Sequence, residues 1–300
     1  MPTMTQLFSN SRDAQRYRAA FFLSLPALIG LFLFHYWPIA DTFRLSFTDY
    51  KVFTGEFTFT GLKNYDIALN DPILLLSLKN TALFFLIKVP LQMALGLCLA
   101  LLIAKPGRDS TLLRTLILFP TVTSMVVASI VWGMMFHSDI GIVNSVLEVF
   151  GIPAQGFLRD KNQALPVLAS ITIWKDVGLS MIFYLAGLLA IPWEYYEAAR
   201  IDGAGRWGLF RHITLPLLNR THVFVLVTST IAAFKIFVPV EVLTGGGPSN
   251  ATRVIVHYIF HLAFRFNRFS YATALSVILA VLLIAISIFQ LRITRDEDDD

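Results

Sequence analysis

Charge is scarce in this 300-residue chain: Asp, Glu, Lys and Arg together make up 15% of it, against about 25% in an ordinary globular protein. A soluble fold of this length could not cover its surface with so few charges. Cysteine is nearly absent, and Cys98 stands alone within an apolar run, which excludes a disulfide scaffold. No basic cluster is present, so the net charge of +4 does not point to nucleic acid. No Gly-x-x-x-x-Gly-Lys-Ser/Thr run occurs, so no loop of the kind that cradles nucleotide phosphates is present. No nucleophile–base constellation stands out, and no repeat of fixed period is visible.

Apolar residues take the place of the missing charge. They reach 56%, with 26 phenylalanines and a mean hydropathy of +0.65. The main solvent of such a chain is lipid. Six stretches reach the roughly 20 mostly apolar residues that a bilayer-crossing helix needs. Residues 19–39, 116–136 and 271–290 do so without a formal charge. Residues 80–104 include Lys88, 164–191 include Lys175 and Asp176, and 221–243 include Lys235 and Glu241. The expectation is an all-α polytopic membrane protein with six transmembrane helices. Arg12, Arg16 and Arg18 precede the first stretch, which is too long for a signal peptide and lacks a small-residue cleavage site, so it reads as a retained span.

Lys and Arg are denser on one side of these spans, above all in the short loop 105–114 with Lys105, Arg108 and Arg114. The positive-inside rule then puts both termini in the cytoplasm. Trp37 and Trp132 fall near outer span ends, and Trp193 and Tyr195 near an inner one, where amphipathic rings favour the interface. The outer segments are 40–79, 137–163 and 244–270. The acidic run 296–300 reads as a solvated tail.

One inner loop is more than a linker. Residues 192–216 begin with Pro192, suited to a first helical position, and carry Glu194 and Glu197 near that helix start, where the dipole favours them. Gly203 is a natural helix stop and Pro216 punctuates the return to the membrane. Ala198, Ala199 and Ala204 leave a low surface that another protein can approach closely. An interfacial amphipathic elbow would need none of this spacing. Glu197-Ala198-Ala199, three residues that end in Asp202, Gly203, nine residues, Ile213, one residue and Leu215-Pro216 resemble the cytoplasmic signature of permease subunits of binding-protein-dependent ABC importers. Leu243-Thr244-Gly245-Gly246-Gly247-Pro248, together with Asn80-Thr81 and Trp174, is similar to the carbohydrate-uptake branch, in particular its maltose-permease-F-like members.

That resemblance implies a type I ABC importer permease fold over residues 75–290, preceded by a tail, first helix and outer loop over 1–74 and followed by the tail 291–300. It implies a bacterial inner-membrane location and a half-channel completed by a second homologous permease. Two copies of a cytoplasmic ABC ATPase would dock on Glu197, Ala198, Ala199, Asp202, Gly203, Ala204, Ile213, Leu215 and Pro216. ATP and magnesium would be bound there, with no cofactor in this chain. An extracytoplasmic solute-binding protein would deliver a sugar or sugar derivative to outer loops that include Gly245, Gly246, Gly247 and Pro248.

Charges inside spans are costly and tend to face an interior or a cavity. Lys88, Gln92 one turn on, Lys175, Asp176, Lys235 and Thr228 are therefore the candidates for a substrate path, with Trp174 as an aromatic face for a sugar ring. Three lysines against one aspartate suit an anionic derivative; pairing of Lys175 with Asp176 or with a partner carboxylate is the competing reading. His257 and His261 have the spacing of a helical metal pair, but no third ligand and no accompanying acid are evident along the sequence, so no metal site is expected. Pro26, Pro90 and Pro120 are candidate kinks. A secondary transporter or channel that uses the intramembrane Lys and Asp for coupling is the alternative class; it would have no need of an ATPase dock.

Overall fold

A computed structural model describes residues 11–51, 54–104 and 108–295. Lys105, the side chains of Arg12 and Arg108, and the acidic tail lie outside the described residues. Helix α1 (Ser11–Leu31) passes through a π-turn (Phe32–Tyr36) into α2 (Trp37–Leu45). The π-turn falls just before Pro38, which lacks the N–H that a regular helix would use there. A hairpin of β1 (Thr48–Tyr50) and β2 (Phe57–Phe59) follows, with Asp49 opposite Thr58. This hairpin corrects the all-helical expectation. Then come α3 (Lys63–Leu69), α4 (Pro72–Ile103), α5 (Arg108–Val122), α6 (Met125–Met135) and α7 (Ile142–Val149). The second half holds α8 (Ala164–Ala190), α9 (Trp193–Ile201), α10 (Arg206–Leu209), α11 (Leu215–Leu217), α12 (Asn219–Phe234), α13 (Val238–Leu243), α14 (Ile255–Phe264) and α15 (Phe269–Arg295).

Among the described residues, five helical stretches are long and apolar enough to cross a membrane: Gln15–Leu45, α4, α8, Asn219–Leu243 and Phe269–Ile293. The sixth expected span is not one straight helix. It divides into α5 and α6, bent by 97°. The bend follows Pro120, where Thr123 Oγ1 donates to the Pro120 carbonyl at 2.6 Å and Ser124 turns extended before α6. Pro26 and Pro90, by contrast, sit inside uninterrupted helices.

The bundle is organised around α4 and α8. Along α4 the inward stripe is Ser77, Thr81, Phe84, Lys88, Gln92, Gly96 and Ala100, all buried, while Leu83, Leu86, Leu91, Leu95 and Leu102 are exposed. That is the reverse of a water-soluble helix, and it suits a lipid solvent. Gly96 lets the helices touch: a Cβ there would lie 2.8 Å from the Ser180 Cβ. Inner-end packing unites Ala100, Met181, Tyr184, Leu188, Leu218 and Val225. Helices α12 and α13 close the middle through Phe84, Leu168, Ala233 and Val240.

At the outer end Asp71 begins α4. Its carboxylate accepts from the amides of Ile73 at 2.8 Å and Leu74 at 3.3 Å, with Pro72 in the first turn. The same carboxylate accepts the Tyr258 hydroxyl at 2.6 Å and the Tyr271 hydroxyl at 2.7 Å. One side chain thus caps α4 and ties it to α14 and α15. The cap also explains why the helix starts two turns before the apolar run. Burial raises the Asp71 pKa, but these four hydrogen bonds outweigh it and hold the carboxyl below its ordinary value.

Asp71→Asn should therefore lower the apparent melting temperature of the detergent-solubilised protein, with a loss of about 1–2 kcal/mol from the weakened cap and hydroxyl contacts. Because the folded carboxyl is more acidic than the unfolded one, its contribution is present above the ordinary carboxylate pKa and disappears as pH falls through the lowered value. The gap between wild type and variant should narrow on acidification; a gap independent of pH would contradict the assignment.

Candidate functional site

Lys88 is 2% exposed, and its Nζ donates to Asp176 Oδ2 at 2.7 Å. The pair joins the middle of α4 to the middle of α8. Asp176 therefore pairs with Lys88, so the competing reading in which Lys175 pairs with Asp176 does not hold. Lys175 turns instead to α5: its Nζ donates to the Thr121 carbonyl at 2.9 Å, and Thr121 Oγ1 donates to the Lys175 carbonyl at 3.0 Å. Thr121 precedes the bend between α5 and α6, so this double contact holds the broken span against α8.

Lys235 ends α12 rather than lying within a continuous helix, because the chain breaks before Val238 and Pro239. The break leaves its side chain exposed. Lys88, Lys175, Asp176 and Lys235 line one cleft of about 250 Å³, together with Thr172 and Phe237. The other expected path residues lie elsewhere. Gln92 is buried one turn below, and its amide donates to Ser180 at 2.9 Å between α4 and α8. Trp174 packs edge-on against Trp132 of α6, with ring centroids 5.4 Å apart. Thr228 is exposed, and its hydroxyl donates to the Phe224 carbonyl at 2.7 Å.

The inner loop forms the short helix α9 and, after a break, a second helical segment in which α10 runs through a π-turn (Phe210–Thr214) into α11. Helix α9 ends in a paired cap: the Gly203 amide donates to the Arg200 carbonyl at 3.0 Å, and the Ala204 amide to the Ala199 carbonyl at 2.9 Å. This closure requires a left-handed residue, and Gly203 has φ +84°. Glu197, Ala198, Asp202, Gly203, Leu215 and Pro216 are exposed, whereas Ala199, Ala204 and Ile213 are half-buried. Ile201 and Trp207 beside them are 85% and 70% exposed. Loops that are only linkers seldom present such side chains together.

At the outer end the Gly-rich loop is packed in. Asn80 donates its amide to the carbonyls of Asn250 at 2.8 Å and Arg253 at 3.1 Å, and Thr81 accepts from the Ile255 amide at 3.0 Å. Thr252 donates to the Gly247 carbonyl at 2.7 Å and shares a 2.7 Å contact with the Thr244 hydroxyl. Gly246 is buried with φ +87°, and a Cβ there would come within 2.9 Å of His257. Gly245 is exposed, whereas Gly247 and Pro248 border a cleft of about 680 Å³ with Leu243, Met134 and Phe136.

His257 and His261 do have an acidic companion. Glu241 Oε2, on α13, lies 3.0 Å from His257 Nε2 and 3.1 Å from His261 Nε2. This corrects the reading that no acid accompanies them. Glu241 comes before the histidines across a loop, so periodicity along α14 carries no sign of it. Burial pushes the His257 imidazole down to about 4, which leaves the ring neutral.

Residues 92–297 match the family of binding-protein-dependent transport system inner membrane components. The chain belongs to that family and is a multi-pass membrane protein. It is 36% identical to the lactose transport system permease protein LacF of Rhizobium radiobacter, over 90% of this chain and 92% of that one. It is 34% identical to the sn-glycerol-3-phosphate transport system permease protein UgpA of Brucella suis, over 91% and 93% of the two chains. In structure it is similar to a chain of a bacterial ABC transporter involved in the import of the acidic polysaccharide alginate, with TM-score 0.83, 25% identity, and coverage of 95% and 98%.

The Lys88–Asp176 pair generates an asymmetric prediction. Asp176→Ala strands an ammonium that is 3% exposed, whereas Lys88→Met leaves a carboxylate that is 36% exposed. The first change should cost about 3 kcal/mol, the low end for breaking a buried pair, and should reduce the yield of monodisperse protein more than the second. The double variant Lys88→Met/Asp176→Leu should recover much of the yield. Equal losses in both single variants, with no recovery, would contradict the pairing.

Proposed function

We propose that this chain is one of two homologous permeases that together form the path of an ATP-driven importer for a sugar or sugar derivative. The observation that carries this reading is the exposed inner loop: a short helix ends at Gly203 beside Glu197, Ala198 and Asp202, with Ile201 and Trp207 uncovered. In this reading six spans cross the bacterial inner membrane, with the bent pair counted as one and both termini in the cytoplasm. The inner loop docks on one of two copies of an ABC ATPase, which holds the ATP and magnesium. A closed protein surface does not leave Ile201 and Trp207 in water without reason; a docked ATPase would cover them. The outer segments 40–79 and 244–270 face a solute-binding protein, and Asn80 and Thr81 anchor the chain just beyond Gly245–Pro248, at Asn250, Arg253 and Ile255.

The cleft between α4, α8 and α13 is this chain's contribution to the substrate path. Its three lysines exceed its single carboxylate, and Asp176 is already engaged by Lys88. Lys175 and Lys235 therefore supply donors suited to hydroxyl-rich solutes and to an anionic group on them. Substrates of that description occur among the relatives, one named for lactose and another for sn-glycerol-3-phosphate. Alternating access would require two conformations, biased by ATP on one side and by the loaded binding protein on the other.

Ala198→Trp tests the docking surface without disturbing the helix stop, because Ala198 is exposed and helical. In the assembled complex it should lower substrate-stimulated ATP hydrolysis at least about tenfold, while yield and solute-binding protein affinity stay normal. Full stimulated hydrolysis in that complex would refute the assignment.

A further inference from the structure

Glu241, His257 and His261 cluster outside the lining of the cleft. Each offers one ligand atom, and these atoms lie within 4.8 Å of one another. His257 is fully buried; its Nδ1 has no hydrogen-bond partner, and its Nε2 lies 3.0 Å from Glu241 Oε2. A buried neutral imidazole with an unused lone pair is costly unless something accepts it. His261, one helical turn on, stacks on it with ring centroids 4.3 Å apart, so both rings present Nε2 to the same carboxylate.

We propose that Glu241, His257 and His261 form a binding site for a divalent transition-metal ion of the zinc class. Two imidazoles and one carboxylate suit such an ion better than magnesium or calcium, which prefer oxygen donors throughout. Two donors at about 2.1 Å from one ion stand at most roughly 4.2 Å apart. The observed limit of 4.8 Å therefore closes with a small movement of His261, which is 18% exposed. Glu241, 28% exposed, leaves a fourth position open to solvent. The opposing charge is Arg265, 3.9 Å from the other carboxylate oxygen, but its side chain is 64% exposed and can withdraw. Arg253 also faces His257 from the loop. The ion would fasten α13 to α14 across the Gly-rich loop, because Gly246 packs directly on the His257 ring. This site is independent of the transported solute.

Cobalt(II) is the probe. The full-length chain is purified with a histidine-free affinity tag, and Co²⁺ is titrated while its visible absorption is recorded, followed by displacement with Zn²⁺. The expected result is one saturable equivalent per chain, displaced by zinc. His261→Gln and Glu241→Gln, both at partly exposed positions, should each weaken binding at least tenfold while eluting as monodisperse protein. No saturable binding by the wild-type chain, or unchanged binding in both monodisperse variants, overturns the site.

Discussion

The ion pair between Lys88 and Asp176 is the interaction on which the rest of the bundle depends. A charge in an apolar span must find a partner within the protein, and here each partner lies midway along one of the two helices that pack most extensively. The pair fixes which face of α4 meets which face of α8. Below it, Gln92 reaches Ser180, and Gly96 lets the backbones approach. Above it, Thr81 and Asn80 bind the backbone of the Gly-rich loop. A single polar stripe on α4 thus orients the core, one wall of the cleft and the outer loop, while leucines cover the opposite face.

Two of the apolar spans are broken within the bundle, and both breaks border the cleft. The α5–α6 span turns sharply after Pro120, and the α12–α13 span breaks at Lys235. In lipid, irregular backbone survives only where protein or a cavity satisfies it. Thr121, Thr123 and the Lys175 ammonium do so at the first break. The second break places the Lys235 side chain at the cleft. The outer end is fastened by Asp71 and its two tyrosines, whereas the inner loop is left uncovered. One end of the bundle is thus tied by hydrogen bonds, whereas the loop at the other leaves Ile201 and Trp207 uncovered.

Much of this was legible in the residues. Five apolar runs coincide with long helical stretches, and the positions of Pro192, Gly203 and Pro216 outline the inner loop because each acts on its own local backbone. What escaped sequence reading depends on distant pairing. The partner of Asp176 lies 88 positions upstream, where nothing local in the sequence singles it out over the adjacent Lys175. Glu241 belongs to the apolar end of a span, and only the fold of the loop carries it to His257 and His261. The hairpin Thr48–Tyr50 with Phe57–Phe59 was too short for period-two patterning to reveal. Pro120 was visible as a candidate kink, but its likeness to Pro26 and Pro90 gave no means of telling a bend from an uninterrupted helix.

In the proposed function this chain moves solute only as part of an ATP-driven assembly. Its most direct test is uptake of radiolabelled solute into proteoliposomes that contain this chain alone or with its second permease, ATPase and solute-binding protein. Uptake is expected from the complete assembly with ATP supplied to the ATPase side, and none from this chain alone under a solute, proton or sodium gradient. Gradient-driven uptake by the chain alone, without ATP or partners, would contradict it and make the protein a secondary transporter.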